Sequence, residues 1–185
     1  MQLFRRWAML VLAAAALPTH AADPNYYGGV MLGVTSYDQY GVGFNMTSFT
    51  ARLGYQMSHS FAVEARLGGA SPGQGSGGNS GNTYQVDALG SLLAKLSWQP
   101  FNDADAYLYA LLGGTAARTT TTSPTAQDQK NNLHGGSIGF GVDLFADRTD
   151  ALNIEWIQYL RGDVAGSPGN TYTVKNFGIG YLHRF

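Results

Sequence analysis

The residues that could do chemistry begin with three of the four histidines, His59, His134 and His183, in a chain of 185 residues that contains no cysteine; the fourth, His20, precedes the strand-like segments. A hydrolytic triad needs a histidine beside a serine and a carboxylate, and a zinc site needs several ligands at one level of the fold. The histidines fall at separate levels of the chain, and none has a serine and a carboxylate placed to join it. The sequence predicts no enzyme, no metal site and no cofactor.

A second set of reactive side chains is ionic. Paired carboxylates could act as acid and base, but here the acids are interleaved with an equal number of bases. We therefore predict a network of buried ion pairs, because an unpaired buried charge is costly. Arg52 and Arg66 face each other across a short turn, and Glu64 is the acid predicted to lie between them. The predicted network comprises Arg52, Glu64, Arg66, Asp87, Lys95, Asp143, Glu155 and Arg184.

Two short motifs carry little information. Gly73 to Gly78 has the spacing of a dinucleotide-binding loop, but it lies in a glycine- and serine-rich stretch with no helical pattern after it. The tripeptide Arg161-Gly162-Asp163 occurs in ligands of some host receptors, and a three-residue match arises readily by chance. Neither motif predicts a function.

The charged residues lie in segments where apolar and polar residues alternate, the pattern of half-buried strands. In the fourth segment Tyr84, Val86 and Leu92 are predicted to share the apolar face. The fifth is apolar on both faces, so its register stays open. The eight segments are Tyr26–Tyr37, Thr47–Met57, Phe61–Gly69, Tyr84–Trp98, Ala106–Ala117, His134–Phe145, Leu152–Leu160 and Thr171–Phe185.

Short and long connections alternate between these segments, and all six prolines are predicted to lie outside them. A soluble barrel would show charge outside, yet only 12% of the residues are charged, and aromatic residues mark the segment ends. We therefore predict an all-β, eight-stranded antiparallel up-and-down transmembrane β-barrel, with short periplasmic turns and long extracellular loops. The lumen of such a barrel is narrow, so its charges would be paired.

The N-terminus has the order of a secretory signal peptide. Arg5 and Arg6 precede an apolar run, 7–17, which is followed by small residues at Thr19 and Ala21. We predict a signal peptide over 1–21 and a barrel domain over 22–185, with an uncleaved anchor as the alternative. Removing the two arginines leaves nine bases and twelve acids, a charge of −3. No nucleic-acid partner is expected.

The stretches 50–68, 106–118, 135–145 and 177–185 resemble the small outer-membrane β-barrel family that includes the OmpA-like transmembrane domain. The resemblance implies a Gram-negative outer-membrane location after signal cleavage and a monomer. The partners it implies are periplasmic chaperones, the barrel-assembly machinery, outer-membrane lipid and lipopolysaccharide. It also implies that the last strand is an assembly signal carried by Gly180, Tyr181, His183 and Phe185. His183 departs from the family pattern, which favours an apolar residue there. No peptidoglycan-binding domain is expected after the barrel.

The predicted function is a structural or surface-interaction role, with the lumen plugged by charged side chains. A narrow channel for small solutes is the first alternative. A lipid-modifying enzyme is the second.

Overall fold

The computed structural model describes residues 25–39, 42–74, 81–100, 105–124, 126–164 and 167–185, so the predicted signal peptide lies outside the described residues. Eight antiparallel strands form a closed barrel in which each strand pairs with the next and β1 pairs with β8. The predicted fold class is confirmed. No helix that could cross a membrane is found in the described ranges. The strands are β1 Tyr26–Gln39, β2 Val42–Ser58, β3 Phe61–Gln74, β4 Thr83–Trp98, β5 Ala106–Ser123, β6 Ala126–Phe145, β7 Asp150–Val164 and β8 Ser167–Arg184.

The alternation of the sequence sorts side chains between the outer wall and the lumen. On β3, Leu67 is 69% exposed, whereas Glu64 and Arg66 are buried. This is the reverse of a soluble barrel, in which charge faces outward. The apolar side chains of such a strand therefore make an outer surface suited to lipid, and its charged side chains point into the lumen.

The two ends of the barrel differ. The terminal end carries both ends of the described chain and the three connections after β2, β4 and β6, and there the Phe185 N–H donates to the Tyr26 carbonyl at 3.0 Å. The hairpin end carries the other four connections. Here the strands run farther than predicted, since β5 continues to Ser123 and β6 begins at Ala126.

Two prolines correct the prediction that all of them lie outside the strands. Pro72 lies within β3 and Pro168 within β8. Both occur where the ladder is irregular, because the register shifts between Ala70 and Gly73 in β3 and, opposite Pro168, between Asp163 and Val164 in β7. A proline is tolerated at such a bulge, where its missing N–H removes no ladder hydrogen bond.

The register of β4 also differs from the prediction. Tyr84 and Val86 point into the lumen and are 2% and 3% exposed, whereas Leu92 faces outward. The ladder with β5 shifts between Val86 and Ala88. A β-bulge adds one residue and so exchanges the two faces beyond it. In β5, whose register the sequence left open, Tyr109 is buried in the lumen.

The hairpin half of the lumen is filled by apolar and aromatic side chains. The rings of Tyr37 and Tyr84 stack at 3.9 Å with 9° between their planes, and Phe44 packs beside them. We call Tyr37, Phe44, Tyr84 and Tyr172, with the aliphatic side chains around them, the aromatic cluster. It closes the lumen above the polar side chains of the terminal half.

Candidate functional site

Arg66 is the centre of the charged part of the lumen. Its Nε donates to Glu64 Oε1 at 2.5 Å, and its two terminal nitrogens contact both carboxylate oxygens of Glu155, at 2.5 and 2.7 Å. All three side chains are fully buried. The two-point contact of Arg66 with Glu155 is a bidentate arginine–carboxylate pair, which is among the strong ion pairs in proteins. Glu64 binds the same guanidinium at Nε. We call Arg52, Glu64, Arg66, Lys95, Asp143 and Glu155 the ion cluster.

Two tyrosines complete the hydrogen bonding of these carboxylates. The Tyr27 hydroxyl donates to Glu64 Oε2 and the Tyr109 hydroxyl donates to Glu155 Oε2, both at 2.8 Å. Asn153 donates through Nδ2 to the Tyr109 oxygen at 2.6 Å and to Asp143 Oδ1 at 2.7 Å. The two glutamates are thus satisfied by neutral donors as well as by Arg66, which lowers the cost of burying them.

Each of these tyrosines lies flat across a glycine on the neighbouring strand. Tyr27 is the cross-strand partner of Gly54, and Tyr109 is the partner of Gly141. A Cβ at either glycine would overlap the tyrosine ring. The glycines therefore provide the space in which the two hydroxyls reach the carboxylates.

A second ion pair lies closer to the terminal end. Lys95 Nζ contacts Asp143 Oδ2 at 2.6 Å and lies 4.2 Å from the centre of the Tyr109 ring. The Tyr27 ring centre is 5.2 Å away on another side. An ammonium between a carboxylate and aromatic faces gains cation–π attraction in addition to its ion pair.

Arg52 lies directly across the β2–β3 ladder from Arg66, as the sequence predicts. It is only 4% exposed, and among the described residues its three guanidinium nitrogens have no hydrogen-bond partner. The prediction that Glu64 lies between the two arginines is therefore only half met, since Glu64 bonds to Arg66. Arg52 is thus attracted electrostatically to the carboxylates of Glu64 and Asp143 without a hydrogen bond to either of them.

The structure separates two of the eight predicted residues from this cluster. Asp87 accepts a hydrogen bond from the Thr120 hydroxyl at 2.6 Å and is partly exposed, because the bulge after Val86 turns it away from the lumen. Arg184 lies at the terminal mouth with its guanidinium 3.9 Å from the ring centre of Phe145. The ion cluster therefore lacks one acid and one base of the predicted eight residues, and it contains three bases and three acids.

A chain of hydroxyl groups, which the sequence reasoning missed, lies between the ion cluster and the aromatic cluster. Ser91 and Thr115 are 2.7 Å apart, Thr115 and Ser137 are also 2.7 Å apart, and Ser137 donates to the Tyr159 carbonyl at 2.6 Å. Small hydroxyl residues at inward positions of β4, β5 and β6 were the available signal. These hydroxyl groups satisfy each other's hydrogen bonding, as buried polar groups generally do.

The terminal strand has its own contacts at the rim. His183 Nδ1 is 2.7 Å from Asp150 Oδ1, which also accepts a hydrogen bond from the Tyr181 hydroxyl. The Phe185 ring meets the His183 ring edge-on at 5.2 Å. His183, the residue that departs from the family pattern, thus has a carboxylate partner in β7. Gly180, three residues earlier in β8, is closely packed, because a Cβ there would lie 2.6 Å from the Val30 carbonyl oxygen.

The turn before β7 is shaped by a neighbouring carboxylate. Asp147 Oδ1 accepts the backbone N–H groups of Thr149 and Asp150 at 2.8 and 2.7 Å. These donors hold the pKa of the Asp147 carboxyl below its usual range. The turn is therefore fixed by a charged acceptor, and this fixes where Asp150 meets the terminal strand.

The histidines are not brought together. His59 lies edge-on to Tyr107, at 6.4 Å between ring centres, while the backbone of His134 accepts a hydrogen bond from Tyr172. Across the described ranges, no three His, Cys, Asp or Glu side chains form a group that could hold a metal ion.

The geometry of the wall and the lumen defines a class of protein. A closed, even-numbered antiparallel barrel with apolar side chains outside and ion pairs inside is a transmembrane barrel of the outer-membrane type. The model of the outer membrane protein beta-barrel domain matches residues 7–185, and the chain belongs to that family. It is a bacterial outer-membrane protein. Because barrels of this type have short periplasmic turns, we expect the terminal end to face the periplasm.

Solved structures share the architecture at low sequence identity. Neisserial surface protein A has a TM-score of 0.68 at 11% identity, covering 86% of this chain and 97% of that one. OprG from Pseudomonas aeruginosa has a TM-score of 0.60 at 14% identity, covering 87% and 96%. Ail of Yersinia pestis, solved with the heparin analogue sucrose octasulfate, has a TM-score of 0.58 at 13% identity, covering 87% and 99%. At these identities the likeness concerns the fold. No curated protein matches the sequence.

Proposed function

We propose that this protein is a closed barrel with a structural and surface-interaction role, in which the wall anchors the hairpin end outside the cell and the lumen carries no solute. The observation that supports this most directly is the filling of the lumen at two levels. Glu64, Arg66 and Glu155 are at most 1% exposed, and the stacked rings of Tyr37 and Tyr84 lie beyond them. A solute would have to displace both clusters.

The surface role is supported by the ribbon formed by the ends of β5 and β6. Residues 127–132 are exposed on both faces, so this part of β6 stands clear of the barrel wall. Its side chains are polar, and within the described ranges the ladder between β6 and β7 begins at Ile138. A strand with one unpaired edge and polar faces is accessible to partners outside the membrane.

Conductance of the purified protein in planar bilayers tests the closed lumen. We expect the wild type to show no conductance. The double variant Tyr84→Ala and Arg66→Met removes a large side chain from each cluster and should show channel openings. Leu92→Ala, a change on the outer wall, is the matched control and should stay silent. Steady conductance by the wild type would contradict the proposal and favour a narrow channel.

The proposal includes no catalytic activity. The acid–histidine pair of Asp150 and His183 is joined by the Tyr181 hydroxyl rather than by a serine. Lipid analysis of a strain that expresses the protein tests this point, because a new or lost acyl group on the outer-membrane lipids would identify an enzyme.

We also propose that the terminal strand is read by periplasmic chaperones and the barrel-assembly machinery through Phe185, which is 40% exposed at the rim. Phe185→Gln should lower the amount of protein in the outer membrane while the purified variant still refolds in detergent. Tyr26→Gln, a change of a neighbouring rim aromatic outside the last strand, is the control. Equal amounts of Phe185→Gln and wild-type protein in the outer membrane would contradict this role of Phe185.

A further inference from the structure

The outer wall carries a groove that the functional proposal does not use. It has a volume of 390 Å³ and lies across β3 to β6. Its floor is made of small residues, Ala88, Gly90 and Ala116, while Leu67 forms one side. At the neighbouring outward position of β6, a Cβ on Gly136 would meet nothing within 4 Å. Small residues on three adjacent strands therefore leave a depression in a wall that is otherwise covered by large apolar side chains.

The groove lies at the hairpin-end border of the apolar band. Ala88 is ten residues along β4 from Trp98, which is exposed near the terminal end. At roughly 3.3 Å per residue and a tilt of about 40°, this separation is about 25 Å, the height of a typical apolar band. Outward residues of β6 change in the same place, from Ile138 and Phe140 to His134 and Asn132. The groove therefore opens toward the acyl chains and ends at the headgroups of the outer leaflet.

The charge at that end is mainly positive. Arg118 and His134 line the groove, and both are exposed. Lys130 follows along the same ribbon, and the exposed Arg161 lies in the segment of β7 whose backbone adjoins Gly135. Of the nearby acids, Asp87 is already hydrogen-bonded to Thr120, and Asp128 is farther along the ribbon.

We propose that this groove binds lipid A, the phosphorylated lipid of the outer leaflet, with an acyl chain over Ala88, Gly90 and Ala116 and a phosphate at Arg118. Charge complementarity favours this occupant, because an apolar floor that ends in exposed cations matches a lipid with several chains and anionic phosphates. Arginine suits the phosphate because its planar fork can donate two parallel hydrogen bonds. Asn132 and His134 are placed to supply further donors.

The test is a titration of the refolded protein in zwitterionic detergent micelles with bisphosphorylated lipid A, read out by native mass spectrometry. Phosphatidylglycerol, which has one phosphate and two chains, is titrated in parallel. We expect lipid A to bind more tightly, and Arg118→Gln to lower its affinity roughly tenfold, as the loss of a charged hydrogen bond predicts. Arg148→Gln, which removes an exposed arginine at the terminal end, should leave the affinity unchanged. Arg118→Lys should restore part of the loss.

A second variant tests the chain site separately. Ala116→Phe fills the floor and should weaken lipid A binding, whereas Ala110→Phe, on the same strand and outward face but nearer the terminal end, should not. Heat-modifiable gel mobility shows that each variant is folded. Equal binding of the two lipids, equal loss in Arg118→Gln and Arg148→Gln, or unchanged binding by Ala116→Phe would each overturn the proposal. None of these outcomes bears on conductance, so the closed lumen is tested independently.

Discussion

The two halves of the lumen fill the same cylinder with opposite chemistry. The terminal half holds six charges that lie within hydrogen-bonding or ion-pair geometry, apart from Arg52. The hairpin half holds stacked rings and aliphatic side chains. Buried ion pairs need correct partners, because removing one partner exposes the other to an uncompensated desolvation cost. The stability of a packed aromatic cluster depends on how well its side chains fit together, and it falls with the volume of side chain that a substitution removes.

The largest effect should come from the centre of the ion cluster. Arg66→Met leaves Glu64 and Glu155 buried without their cation, and we expect it to lower the free energy of unfolding by about 4 kcal/mol. Arg52→Met, at the facing position of the ladder, removes a guanidinium that has no hydrogen-bond partner among the described residues, and should cost clearly less. Urea unfolding in detergent micelles measures both. Equal losses would show that the two arginines share the carboxylates in solution.

The aromatic cluster should respond next. Tyr84→Ala removes a ring that stacks on Tyr37 and should cost about 3 kcal/mol in the same assay. Leu92→Ala, at a position of β4 that faces outward, should cost less than about 1 kcal/mol. The reverse order would mean that Tyr84 faces lipid, as the sequence pattern predicts, and that the bulge after Val86 is absent.

A smaller effect is expected from the space that a tyrosine occupies. Gly54→Ala places a methyl group where the Tyr27 ring lies, so the hydroxyl would be displaced from Glu64, at a cost of about 2 kcal/mol. Gly136→Ala, where nothing lies within 4 Å of the added carbon, should be neutral within about 0.5 kcal/mol. Similar losses for both glycines would point to a backbone effect instead of the tyrosine contact.

The smallest effect belongs to the exposed pair at the rim. Asp150→Asn removes the carboxylate shared by Tyr181 and His183, and exposed ion pairs contribute little and are screened by salt. We expect Asp150→Asn to lower the free energy of unfolding by less than Gly54→Ala does. The loss caused by Asp150→Asn should become smaller as sodium chloride is added. A loss as large as that of Arg66→Met would indicate that the rim determines the closure of the barrel.

The halves also differ in how far the sequence predicts them. In the segments 48–56 of β2 and 61–67 of β3, polar or small inward residues alternate with apolar outward ones, so the inward direction of Arg52, Glu64 and Arg66 follows from the pattern. In β4 a single bulge exchanges the faces, so Tyr84 and Asp87 were placed on the wrong sides. A bulge changes one backbone position and leaves no clear mark in residue types.

The hydrogen-bond partners of the ions were harder to predict than the ions themselves. Tyr109 lies in a segment that is apolar on both faces, and neither it nor Tyr27 stands out from the other aromatic residues. Their roles depend on cross-strand pairing with Gly141 and Gly54, which is a property of register between strands. Partner choice within the cluster, such as the bond from Glu64 to Arg66 instead of Arg52, depends on side-chain geometry that spacing does not determine.

The strands that supply the ion cluster set an order of events. Its charges come from β2, β3, β4, β6 and β7, and the tyrosines that bond to it come from β1 and β5, so only β8 supplies no member. β8 is also the strand whose pairing with β1 closes the cylinder. We therefore expect water to reach these six charges until β1 pairs with β8, so that their full desolvation falls in the step that closes the cylinder. A partly open barrel would lack part of the stabilisation that the buried pairs contribute, which favours cooperative closure.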